Sequence, residues 1–316
     1  MGACCAWCSA LSPAVASGDS GLDLSRRAVS HDDELRSVKG DNVSNADATQ
    51  DVVLYEADGG VATLTLNRPG SANGWTGPME KRYFELLAQC QDDDDIKAIV
   101  VTGAGRTFCP GADMNNLQAY SKADPAAATG NVVEARTGYP LHYPTTITKP
   151  TIGAINGACA GVGLVQALML DVRFSAPGVK YTVAFARRGL IAEYGSAWLL
   201  PRLVGHSRAL DLLMSSRVVL AEEALTMGLI SQIHPAERLL DEARSYAFDL
   251  ATNCSPTSMA VMKRQVNHAW HQDLPEAMDE AFELMNKSLK RADFKEGVSS
   301  YLEKRAPHFS PITGDL

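Results

Sequence analysis

The chain has no apolar run long enough to cross a membrane: each hydrophobic stretch is broken by Gly, Asp, Arg or Pro well short of the roughly twenty residues a span needs. It also lacks an excess of positive charge. Lys and Arg number 29 against 37 Asp and Glu, the net charge is −8, and no long basic stripe exists. That excludes the electrostatic footprint of nucleic-acid binding but leaves room for a local basic patch on a small phosphorylated ligand. A disulfide framework is missing too. The seven cysteines (Cys4, Cys5, Cys8, Cys90, Cys109, Cys159 and Cys254) are odd in number, and four stand singly in apolar or mixed surroundings. Buried thiols in a reducing, cytoplasmic compartment are the expectation. Cys4-Cys5-Ala6-Trp7-Cys8 has no Cys/His pair downstream at zinc-site spacing, so no metal is expected. There is no basic n-region before an apolar stretch, and Ala6 stands where a myristoylation signal needs Ser or Thr.

Other signatures are incomplete. Gly161-Val162-Gly163 and Gly103-Ala104-Gly105 lack the third glycine of a dinucleotide fingerprint, since Gln166 and Phe108 occupy that place. Gly205-His206-Ser207-Arg208-Ala209 is one residue short of a serine-hydrolase elbow and follows a helical rather than a strand pattern. Ser207 is therefore read as the N-cap of a helix over 208–215. His268 and His271 stand three apart on a helical pattern with no third ligand in view. Asp92 to Asp95 reads as a solvated turn.

What is present is globular. With 316 residues, 46% hydrophobic and 21% charged, the chain can bury a sizeable core. Residues 1–50, rich in Asp, Ser, Asn and Gly with little periodicity, read as a disordered tail. Strands are expected at 52–56 and 61–66 around an Asp58-Gly59-Gly60 turn, then at 96–102, 151–156, 172–176 and 179–185. Helices are expected at 79–89, 114–120 and 164–170, with loops over 103–113 and 121–145 and a turn over 157–163. Beyond Gly195 helices follow at 195–204, 207–215, 221–227, 236–252, 256–270, 275–289 and 292–304. The reading is α/β, with a core over 51–253 and a C-terminal helical region over 254–316.

Four segments line up with a known pattern over about residues 52 to 309: Leu66-Asn67-Arg68-Pro69…Ala72-Asn73; Gly103 to Asp113 (GAGRTFCPGAD); Lys149 to Gly157 with Gly161-Val162-Gly163; and Gly189 to Ser196 (GLIAEYGS). Glu296-Gly297…Tyr301-Leu302-Glu303-Lys304-Arg305 completes it. In order and spacing the chain resembles the crotonase superfamily, the enoyl-CoA hydratase/isomerase family. The resemblance implies a crotonase-like spiral of ββα units and an acyl-CoA substrate whose thioester enolate is held by two backbone N–H groups, those of Ala112 and Val162. Coenzyme A belongs to the substrate, so no separate cofactor is implied. Such turns suit the task physically. Each leaves an N–H unused by strand or helix, and the Gly161-Val162-Gly163 turn lies at the N-terminus of an apolar helix whose dipole favours negative charge. Alone, either turn reads equally as packing.

The resemblance further implies a coenzyme A site from Arg68, Ser71 and Ala72, from Gly111, Asp113 and Gly161 around the thioester, and from Tyr301 and Lys304. Arg68, Lys263 and Lys304 each have an equal reading as solvated cations. It implies a homotrimer or dimer of trimers through the C-terminal helices, and makes Tyr139, His142 and Tyr143 candidates for the acyl pocket, with core packing as the plain alternative. One departure matters. The two glutamates of the family's hydratases fall, by alignment, on Val165 and Phe185, and neither side chain can move a proton. Glu193 remains, matching the single acid/base of peroxisomal-type 3,2-enoyl-CoA isomerases. Burial among Ile191, Tyr194 and Trp198 is expected to raise its pKa; its other reading is a carboxylate favouring the dipole of the following helix. An isomerase of fatty-acid or related acyl-CoA metabolism is thus the expectation. The alternatives are a hydratase with relocated groups such as Glu193 and Glu134, and a silent acyl-CoA-binding or interaction protein.

Overall fold

In the computed structural model, residues 52–114, 118, 122 and 137–312 are described. The expected tail, Cys4, Cys5, Cys8 and Glu134 lie outside them. The chain enters as a hairpin, β1 (Val53–Asp58) and β2 (Val61–Leu66), with Asp58 opposite Val61. Gly59 and Gly60 take φ of 55° and 81°, the left-handed pair that a two-residue hairpin turn demands. Helix α1 (Gly77–Asp92) is started by Thr76, whose side chain accepts from the Met79 N–H, and by Pro78 in its first turn. Its buried face carries Met79, Tyr83, Phe84, Leu86, Leu87 and Cys90.

Then the chain alternates between two sheets. Strand β3 (Ala98–Gly103) joins the first sheet and β4 (Thr107–Cys109) the second. The same division recurs for β5 (Thr151–Ile155) and β6 (Ala158–Ala160), followed by α2 (Val162–Leu168). It recurs again for β7 (Val172–Ser175) and β8 (Lys180–Thr182), followed by α3 (Ser196–Val204). Helix α4 (His206–Ser215), β9 (Val219–Leu220), α5 (Ala221–Thr226), β10 (Gln232–Ile233) and α6 (Leu239–Asn253) complete the core. The first sheet runs β1-β2-β3-β5-β7-β10, parallel except for the hairpin; the second runs β4-β6-β8-β9. This is the spiral of ββα units. β3 and β5 are buried along their whole length, as strands covered on both faces must be, and α6 packs across β2, β3, β5 and β7.

The crossings between sheets are tight. A Cβ on Gly103 would lie 2.3 Å from Thr107 O, and one on Gly157 would lie 2.0 Å from Arg106 O. Asn156 clamps them, accepting from the Gly103 N–H at 3.2 Å and donating to Gly103 O at 2.8 Å. Strands β4 and β6 occupy segments expected as loop and turn; each is only three residues long, too short for a period to register. Ser207 is not an N-cap: α4 begins at His206 behind Gly205, with no side-chain cap. Beyond the core lie α7 (Pro256–His268), α8 (Leu274–Ser288), opened by a reciprocal Asp273–Glu276 capping box, and α9 (Ala292–Glu303).

Candidate active site

Ala112 and Val162 come together at the ends of β4 and β6. Trp75 forms an isolated parallel bridge with Ala112: the Trp75 N–H donates to Gly111 O at 2.8 Å and the Asp113 N–H to Trp75 O at 3.0 Å. In an extended segment neighbouring residues aim their backbone groups to opposite sides, so the Ala112 N–H points away from Trp75. On the other turn, Gly161 (φ 50°, ψ −129°) precedes α2, and its N–H is held by Thr182 O at 3.0 Å. That backbone suits only glycine. It leaves the Val162 N–H as the first free donor of a helix buried throughout. Neither N–H finds an acceptor among the described residues. The two turns touch: a Cβ on Gly161 would lie 3.6 Å from Gly111 Cα.

Behind Ala112 stands a support that sequence reading missed. Arg68 donates through both terminal nitrogens to Asp113 Oδ2 at 3.1 Å and through Nη1 to Gly74 O at 2.5 Å. Asn73, fully buried at φ 59°, accepts from the Arg68 N–H and donates to Ala104 O and Thr107 O. The Trp75 indole N–H donates to buried Glu80 at 2.9 Å. In the sequence Glu80 is one acidic residue in a helix's first turn and Asn73 one polar residue in a loop, and neither names its partner.

Glu193 lies in the turn before α3, half-buried, and burial raises its carboxyl above the ordinary carboxylate range. Ile191 does not cover it as expected, being 80% exposed, and Trp198 is exposed at 40%. Val165 and Phe185 are buried in the apolar core.

Ser71 and Ala72 are exposed on the loop after Arg68. Tyr301 is exposed on α9 and Lys304 caps its C-terminus at φ 54°. Among the described residues no hydrogen bond or ion pair joins these two to the loop at 68–72. Lys263 is engaged with Asp171 at 2.7 Å. Tyr139 and Tyr143 meet in a tilted ring contact with centroids 4.6 Å apart and flank Phe84, while His142 is exposed. His268 pairs with Glu280 at 3.0 Å and His271 stacks on Trp198, so neither faces a shared ligand. No cluster able to hold a metal exists among the described residues, and no helix of theirs is long and apolar enough to cross a membrane.

Comparison with known proteins places this geometry. The enoyl-CoA hydratase/isomerase family model matches residues 56–311. The chain is 36% identical over 259 residues to a 1,2-epoxyphenylacetyl-CoA isomerase of Escherichia coli strain K12, covering 82% of this chain and 98% of the relative. It is 34% identical to an enoyl-CoA hydratase of Alternaria alternata, covering 80% and 84%. Among solved structures, an enoyl-CoA hydratase from Mycobacterium marinum is 45% identical, with 71% of this chain and all of that one covered, at a TM-score of 0.59. Another from Polaromonas sp. JS666 is 27% identical, covering 81% and 99%, at a TM-score of 0.74.

Proposed function

The chain belongs to the enoyl-CoA hydratase/isomerase family, the crotonase superfamily, and within it we propose that this enzyme shifts a double bond of an acyl-CoA with Glu193 as its single acid/base. The observation that carries the reading is the pair Val165 and Phe185, buried and apolar where the hydratases of the family place their glutamates. Hydration needs one group to activate water and another to protonate carbon. An allylic shift needs one that takes a proton and returns it. Glu193 removes the proton from C2, the Ala112 and Val162 N–H groups hold the dienolate oxygen, and Glu193 reprotonates C4. Each such donor is worth about 3–4 kcal/mol in the transition state. A carboxyl raised by burial is a better base for a carbon acid than an exposed one, since its proton affinity lies nearer to that of the substrate. The similarity to an isomerase acting on epoxyphenylacetyl-CoA supports the same class of chemistry.

In this reading the loop at 68–72 and the Gly111, Asp113 and Gly161 backbone shape the coenzyme A and thioester site, with Tyr301 and Lys304 at its nucleotide end. The C-terminal helices join copies as a homotrimer or dimer of trimers. Along α8, Leu274, Met278, Phe282, Met285 and Leu289 form an exposed stripe at helical spacing, 46–73% exposed, which a lone chain would leave in water.

The test is a comparison of purified enzyme on 3-enoyl-CoA and 2-enoyl-CoA. Isomerisation of the first with little hydration of the second is expected. Hydration as the main activity overturns the reading and favours relocated groups; binding of acyl-CoA without either reaction favours the silent role.

A further inference from the structure

Two polar side chains near the site lack partners, and they flank one turn. The Glu193 carboxylate accepts no hydrogen bond among the described residues. The Ser196 hydroxyl is fully buried and likewise unpartnered. An orphaned buried hydroxyl is costly enough to be rare, so it calls for an explanation. The turn supplies one. The Ser196 N–H donates to Glu193 O at 2.9 Å, while Tyr194 (φ 52°) and Gly195 (φ 77°) between them are both left-handed. That is the type I′ turn pattern, here leading directly into α3. A β-turn brings the Cα atoms of its first and fourth residues, Glu193 and Ser196, within about 7 Å of each other. A serine and a glutamate at that separation reach one another by side-chain rotation alone. Tyr194, a bulky residue with positive φ, marks local strain of the kind that gathers at working sites.

We propose that Ser196 is a positioning residue: its hydroxyl donates to the Glu193 carboxylate, aiming the other carboxylate oxygen at the substrate's C2–C4 edge. The proposal rests on the assignment of Glu193 as acid/base. In the resting arrangement the hydroxyl is held ready, and substrate entry turns the carboxylate inward to meet it. The proton stays on Ser196 throughout, and the carboxylate alone gains and loses one. A donor to the ionised carboxylate favours that form and so counters the upward push of burial, to which no charged neighbour contributes.

The experiment compares Ser196→Ala, Glu193→Gln and the double variant, with pH profiles of kcat for isomerisation. Ser196→Ala should lower kcat about tenfold with little change in KM, and move the acidic limb upward by about one pH unit, the equivalent of a tenfold change. In the double variant the serine substitution should cost nothing further, because it acts through a group already removed. A limb and kcat unchanged in Ser196→Ala, beside an inactive Glu193→Gln, overturn the role of Ser196 alone. Full activity in Glu193→Gln overturns the assignment beneath it. Thermal melting separates a structural role: deleting an unpaired buried hydroxyl leaves Tm unchanged or higher, so a fall in Tm with an unmoved limb also counts against the proposal.

Discussion

Replacing Arg68 by Met asks whether this arginine serves coenzyme A or the protein itself. Its guanidinium is 24% exposed, its partner Asp113 is 10% exposed, and it also satisfies Gly74 O. Removing one member of a buried pair costs up to about 3–5 kcal/mol, because a desolvated charge loses the opposite charge beside it. Partial screening of Arg68 reduces this to roughly 2–3 kcal/mol. For a domain of this size that lowers Tm by roughly 5–10 °C. Asp113 directly follows Ala112, so its release also loosens the first enolate donor, and a displacement near 1 Å costs on the order of a hundredfold in rate. The assay is thermal melting beside steady-state kinetics. Arg68→Met should lower Tm and kcat with KM for the thioester nearly unchanged. A tenfold rise in KM at unchanged Tm would refute the reasoning and make Arg68 a coenzyme A ligand.

Gly163→Ala should be severely destabilising and nearly inactive, because its Cβ would lie 2.2 Å from Cys109 O and force β4 from α2 beneath both donors; wild-type melting and activity would contradict this. Gln166, 3% exposed with both amide atoms unpartnered, should be stabilising when changed to Leu, by about 1–2 kcal/mol in denaturant unfolding; a loss of stability shows that the amide is satisfied in solution. Glu193 makes stability depend on pH. Its folded pKa lies above the unfolded one, so the native state holds more protons and loses stability as pH rises from the unfolded value through the folded value. Glu193→Gln should therefore raise Tm at neutral pH and lose that advantage below the ordinary carboxylate range; melting curves at the two pH values check it.

The long elements were legible in the sequence because their periods are. The Asp58-Gly59-Gly60 turn, the apolar run of β3 and the helices after Gly195 stand close to where pattern and caps put them. Strands β4 and β6 were not, since three residues define no period and their pairing is made by distant chain. In the candidate site, glycine spacing marked both turns, but the contact between them is tertiary. The supporting layer of Arg68, Asp113, Trp75 and Glu80 was hidden for the same reason: Arg68 and Asp113 lie 45 residues apart. Local sequence also gave Glu193 a cover that folding places elsewhere, because Ile191 turns outward.

The most direct test of the account is the single-turnover isomerisation of 3-enoyl-CoA by excess, saturating Glu193→Gln, with binding checked by titration. The variant should bind acyl-CoA as wild type does and react at least about a hundredfold more slowly, as general acid–base catalysis by one carboxylate requires. Isomerisation within a few-fold of wild type would show that the proton is carried elsewhere.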